Sequence, residues 1–305
     1  MFSAPANRKN FFATLTGGET ARFLSVVKCP MAALLCLLSL LCIQLPVLAK
    51  AAENRPVYVY AAASMQVVLT EVLALAGDEL SLEIVPVYGG SAGLARQIAQ
   101  GAPAALFLSA NNGWVQYLSD TYPERISEQQ PLLRNSLAFV ASPCMRDWHG
   151  HAAVLPEPEP ASAQGLHEAI VAALQTGEKI AIGMPDSVPA GSYTRQSLQA
   201  LGLWDAVMRQ AVYAENVTVA LNWVARCDVA FGFVYESDVL AGQKLGVRHV
   251  SGIPGELHQP IIYPMAYING PRNEDARRLG AFLKSAQARE IFLSHGFALA
   301  NSPMK

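Results

Sequence analysis

From Arg55 onward, short apolar runs of strand length alternate with stretches that repeat apolar residues at helical spacing. Val57–Tyr60, Leu82–Tyr88 and Ala105–Leu108 read as strands. Between and after them, Met65–Leu75, Leu94–Ile98 (stopped by Gly101) and Gly113–Leu118 read as helices. The alternation resumes with a strand at Leu137–Ala141, a helix at Leu166–Leu174, a strand at Ile180–Ile182 and a helix at Ser192–Leu201 closed by Gly202. A helix at Val217–Val224 and a strand at Phe231–Tyr235 follow. Ile261–Tyr267 reads as a strand returning to the first set, and helices around Ala276–Lys284 and Arg289–Leu293 complete it. Such an order with short links predicts an α/β protein built on largely parallel sheets covered on both faces. Between the two sets, Cys144–Gln164 is rich in Pro, Glu and Ala. Its run Leu155-Pro156-Glu157-Pro158-Glu159-Pro160 predicts an exposed loop.

Ligands of open α/β sheets sit beyond the carboxyl ends of the strands. Two neutral small-residue corners fall there: Ala61-Ala62-Ala63-Ser64 and Gly89-Gly90-Ser91-Ala92. A corner that opens a helix exposes unpaired N–H groups at the positive end of the helix dipole, which suits an anion. A serine adds a hydroxyl donor without adding charge. Taken singly, each serine is as readily an N-cap; together they point to one small oxyanion held between corners. Val188-Pro189-Ala190-Gly191-Ser192-Tyr193 is a third corner, in which Pro and Gly allow a tight turn that aims the Ala190 N–H into a cleft. In Glu215-Asn216-Val217-Thr218, Asn216 reads as an N-cap that leaves the Val217 amide free, and Tyr235 ends a strand with its phenol available.

The start of the chain changes the address. Arg8, Lys9, Arg22 and Lys28 precede an apolar run, Met31–Leu48, that ends in Ala49-Lys50-Ala51. Residues 1–51 therefore read as a signal peptide with an extended basic lead, which sends the protein to the periplasm. The whole chain has 305 residues, 52% of them hydrophobic, and a formal charge of −2. Without residues 1–51 it keeps 17 basic and 23 acidic residues, a net −6 that argues against a nucleic-acid partner. Of the five cysteines only Cys144 and Cys227 follow the leader; they are a possible disulfide, with two free thiols the alternative. His149-Gly150-His151 lacks an evident third metal ligand and reads as loop. Asp186 and Glu215 read as solvated or capping groups, and Arg277-Arg278 as a solvated helix face.

In order along the chain, Ala61–Ser64, Leu94–Ile98 with Gly101-Ala102-Pro103, Asn135-Ser136-Leu137, Val188–Tyr193, Gly232–Tyr235, and Glu290-Ile291-Phe292 with Gly296-Phe297 resemble the periplasmic molybdate-binding proteins of molybdate ABC transporters. The resemblance runs from about Pro56 to Phe297. It implies a two-lobed class II periplasmic-binding-protein fold, with two Rossmann-like lobes joined by crossover strands. On that pattern lobe 1 is 52–135 plus 262–305 and lobe 2 is 136–261. It implies that Ser64 and Ser91 donate through hydroxyl and backbone N–H, Ala190 and Val217 through backbone N–H, and Tyr235 through its phenol. The ligand is then molybdate or tungstate, with molybdenum present only inside the oxyanion. No cofactor and no catalytic residue are expected. The implied partner is an inner-membrane ABC permease, served by a monomer. Met184, Ala105 and Asn111 depart from the family, which commonly has Asp at these places, and the Gly89-Gly90 corner replaces a serine-richer run. Two other classes compete: a receptor of the same fold for sulfate, phosphate or a ferric chelate, and a secreted hydrolase. The inferred ligand positions carry no Arg or Asp. Gly89-Gly90-Ser91-Ala92-Gly93 has the G-x-S-x-G spacing, but no base stands beside either serine and no H-E-x-x-H motif occurs.

Overall fold

A computed structural model describes residues 56–145 and 162–300. The leader, His149-Gly150-His151 and the run Leu155–Pro160 lie outside the described residues. The first part comprises β1 (Val57–Ala62), α1 (Gln66–Leu80), β2 (Ile84–Gly89), α2 (Ser91–Ala99), β3 (Ala104–Leu108), α3 (Asn112–Thr121) and β4 (Ile126–Asn135). Next come β5 (Leu137–Ala141), α4 (Ala163–Gln175), β6 (Ile180–Gly183), α5 (Pro189–Ala200), α6 (Trp204–Met208), β7 (Ala211–Ala214) and α7 (Val217–Ala225). The remainder is β8 (Phe231–Tyr235), α8 (Glu236–Gln243), β9 (Arg248–Gly252), β10 (Ile261–Ile268), α9 (Asn273–Phe282), α10 (Ala286–Ser294) and β11 (Ala298–Leu299).

Among the described residues these strands form two sheets, ordered β11-β4-β10-β3-β1-β2 and β7-β6-β8-β5-β9. Each is mixed, not largely parallel as the alternation suggests. Strands β1, β2 and β3 run parallel, as do β6, β7 and β8, whereas β4, β10 and β11, like β5 and β9, pair antiparallel. The physical reason is the route of the chain. It leaves the first sheet along β4, enters the second along β5 after Ser136, and returns from β9 to β10. Outward and returning strands must run in opposite directions.

In β1, Val57, Val59 and Ala61 face one apolar cluster while Tyr60 faces another, the period of two expected of a sheet with both faces covered. Leu94, Ile98, Val115 and Leu118 bring α2 and α3 onto the Tyr60 face. The second sheet is buried throughout β5, β6 and β8, where Phe139 packs on Phe231 and Phe233 at ring separations of 5.7 and 4.9 Å. Cys144 and Cys227 are joined by a disulfide, their Cα atoms 5.8 Å apart, which ties the segment after β5 to the turn after α7.

Candidate functional site

The carboxyl ends of β1 and β2 each deliver one serine. Neither is an N-cap. Ser64 lies in a single 3-10 turn, Ala63–Met65, between β1 and α1, and no side chain caps that turn or α1. Its Oγ lies 3.0 Å from the Tyr263 Oη of β10. Ser91 is the first residue of α2, behind Gly90, and is buried; its Oγ accepts a hydrogen bond of 3.1 Å from the Ala110 N–H beyond β3. Both hydroxyls are thus left for something other than their own helix.

The second sheet supplies the facing donors. Pro189 opens α5 and has no N–H, so Ala190 is the first residue of that helix with a donor to offer. Gly191 is needed beside it, because a Cβ there would collide with the Gly183 carbonyl oxygen at the end of β6. Asn216 caps α7 through Oδ1 to the Val219 N–H, 3.0 Å, which leaves the Val217 N–H at the mouth of the helix. Tyr235 ends β8 with a buried phenol that has no hydrogen-bond partner among the described residues. Burial above all holds its pKa well above the usual tyrosine value, so the phenol keeps its proton.

Ser64, Ser91, Ala190, Val217 and Tyr235 line a single small cavity of about 10 Å3, together with Gly89, Gly90, Ala110 and Asn216. No ionisable acid or base borders it apart from the Tyr235 phenol. The two halves meet closely: a Cβ on Gly90 would stand 2.9 Å from the Glu215 carbonyl oxygen, and Trp114 Nε1–H of α3 donates to the Ser187 carbonyl ahead of α5 at 3.1 Å. The glycine corner therefore permits close approach of the halves. A larger open groove of about 300 Å3 adjoins, bordered by Trp114, Tyr117, Asp186 and Arg195. Asp186 and Arg195 pair with each other there at 2.7 Å.

The departures are accounted for locally. Asn111 caps α3 by accepting from the Trp114 N–H at 3.3 Å, the task an Asp would perform. Met184 exposes its side chain, while its carbonyl accepts from the Ser187 and Val188 N–H groups and shapes the turn into α5. Ala105 is the extra residue of a bulge in β3, opposite Tyr58 and Val59, and is buried. Arg277 and Arg278 are exposed, as read from the sequence, but paired: Arg277 with Glu128 at 2.9 Å and Arg278 with Asp275 at 3.2 Å. The Glu215 side chain is exposed, and what it contributes near the cavity is its backbone oxygen.

Sequence reasoning missed the buried groups behind the site. Asp238 of α8 is buried and accepts from the Tyr235 N–H at 3.0 Å; burial pushes its pKa up to about 7, with that hydrogen bond opposing. Tyr263 looked like one more apolar position in a strand. Asn135 had a signal, the Asn135-Ser136-Leu137 motif, but no role.

Residues 57–298 match the family described as bacterial extracellular solute-binding protein. This chain belongs to that family. Its relatives include the molybdate-binding protein ModA of Escherichia coli, 34% identical over 248 residues that cover 81% of this chain and 91% of the relative. The ModA of Haemophilus influenzae is 29% identical over the same shares of each chain. The resemblance read from the motifs is thus found across the length of the family members. Among solved structures, the periplasmic molybdate-binding protein of Azotobacter vinelandii superposes with a TM-score of 0.65 at 22% identity, covering 80% of this chain and all of that one. That likeness shows the shared two-lobed fold of the family.

Proposed function

We propose that this solute-binding protein captures molybdate, and tungstate, between its lobes and hands the ion to an inner-membrane ABC permease. In this reading residues 1–51 are the signal peptide that delivers the protein to the periplasm, where it acts as a monomer. Lobe 1 comprises 52–135 with 262–305 and lobe 2 comprises 136–261, a division supported by the passage from β4 to β5 and the return at β10. Ser64, Ser91, Ala190, Val217 and Tyr235 hold the oxyanion, and no catalytic step or cofactor is assigned.

One observation carries the reading: hydroxyls and helix-opening N–H groups from both sheets border one small cavity that no carboxylate, ammonium or guanidinium enters. Molybdate and tungstate are fully ionised tetrahedral dianions at neutral pH, and burial is tolerable only when every oxygen accepts hydrogen bonds. Charge-assisted bonds contribute roughly 1.5–3 kcal/mol each, so a handful gives tight binding. Hydrogen phosphate brings a proton that an all-donor site leaves unpaired. Sulfate brings none and must be rejected by size. Calorimetry with the four anions tests this. Tight molybdate and tungstate, weak sulfate and negligible phosphate are expected, and phosphate or sulfate bound as tightly as molybdate would overturn it.

A further inference from the structure

Behind the two serines lies an arrangement that decides which way their protons point. The starting point is Asn135, where the chain leaves the first sheet. Its Oδ1 accepts from the Ser136 backbone N–H at 2.9 Å. A backbone N–H can only donate, so the amide is fixed with Nδ2 turned the other way. Nδ2 then donates one hydrogen to Ser237 Oγ at 2.8 Å and the other to Tyr263 Oη at 3.4 Å. Tyr263 is fully buried, and burial holds its phenol protonated. With Asn135 donating to it, the phenol has its own hydrogen left to give. Ser64 Oγ stands at 3.0 Å to receive it, while the neighbouring Tyr235 phenol, whose ring lies 5.7 Å away, keeps its own hydrogen for the cavity. Ser64 accepts there, and its own hydrogen is free to face the cavity. Ser91 reaches the same condition in one step, since its Oγ accepts from the Ala110 N–H.

We infer that Asn135 and Tyr263 are positioning residues that fix the Ser64 hydroxyl as a donor toward the bound oxyanion. The Ala110 N–H does the same for Ser91. The inference rests on the proposed oxyanion site and adds to it the source of its selectivity. A serine hydroxyl free to rotate serves equally as donor or acceptor, and so tolerates a protonated anion. With its lone pair engaged from behind, it serves only as a donor, and a protonated anion meets a wall of hydrogens. Selection for a fully deprotonated ion is then written into residues that never touch it.

The test is a double-mutant cycle read by calorimetry with molybdate and with phosphate at pH 7, using the mature chain and its Tyr263→Phe, Ser64→Ala, Ser91→Ala and paired variants. Tyr263→Phe should weaken molybdate about tenfold, the loss of one hydrogen bond in a buried network, and leave phosphate unchanged or tighter. Because Tyr263 acts through Ser64, its substitution should change affinity less than twofold once Ser64 is Ala, yet keep its full tenfold effect when Ser91 is Ala. A merely structural role would weaken both backgrounds alike, and that result overturns the relay, as does a Tyr263→Phe protein within twofold of the unaltered one. Should Tyr263→Phe fail to fold, Asn135→Ala in the same cycle decides the matter by the same criteria. Failure of the unaltered protein to bind molybdate would bring down the proposed function and the relay together, which separates that outcome from the others.

Discussion

Asp238 allows a quantitative forecast. Its side chain is 6% exposed, and its carboxyl accepts from the Tyr235 N–H. Burial raises its pKa from 3.8 to about 7. The folded chain therefore holds a proton, between about pH 4 and pH 7, that the unfolded chain has already released. Stability must fall as pH rises through that window and level off above it, the reverse of the usual surface carboxylate. That rise is equivalent to about 4 kcal/mol between the two protonation states. In Asp238→Asn the side-chain oxygen still accepts from the Tyr235 N–H, but nothing ionises. The two proteins should differ by less than about 1 kcal/mol at pH 4, while at pH 8 the variant should be the more stable by about 2–4 kcal/mol. Urea unfolding of both proteins without oxyanion, at half-unit steps from pH 4 to pH 8.5, measures this. Parallel stability curves across that range would refute the reasoning, since they would mean that Asp238 is ionised in the fold at acid pH or solvated throughout.

Other perturbations have equally definite outcomes. Ser64→Ala and Ser91→Ala should each cost about 1–3 kcal/mol of molybdate affinity by calorimetry, as lost donors to a buried anion, with little change in melting temperature. Gly90→Ala places a Cβ 2.9 Å from the Glu215 carbonyl oxygen, so binding should weaken several-fold while the ligand-free melting temperature holds; unchanged affinity would show that the halves need not approach so closely. Trp114→Phe removes the Nε1 donor to Ser187 and should weaken binding about three- to tenfold. Replacing Cys144 and Cys227 by Ser opens a cross-link spanning 83 residues and should lower unfolding stability by about 2–4 kcal/mol, checked by denaturant titration with and without reductant.

The sequence was most readable where packing and local preference agree. Leu137–Ala141 and Phe231–Tyr235 are strands with the bounds their apolar runs suggest, because both are buried on both faces. Gly101 and Gly202 follow their helices in the left-handed conformation, as helix-ending glycines do. Strand β4 was not legible. Ile126–Asn135 reads as polar and contains Pro131, yet it pairs along β10, with Pro131 opposite Pro264 at a register shift. Two residues without an N–H face each other there, so neither strands a ladder partner, and a single-sequence reading cannot see that compensation. Strands β7 and β9 are four and five residues long and gain their identity from neighbours. At the site, the turn chemistry of the corners was visible because helix openings have a compositional signature. The relay behind Ser64 was not, because Ser64 and Tyr263 are separated by 199 positions and a tyrosine in an apolar strand looks like packing.

The neutral lining of the cavity separates how fast an ion arrives from how firmly it stays. With no formal charge in its lining to reach into solution, the site does little to speed encounter, and a chain of net negative charge mildly repels an incoming dianion. Added salt should therefore quicken association slightly, by screening that repulsion, while the escape rate, governed by short-range bonds inside the closed cleft, stays almost constant.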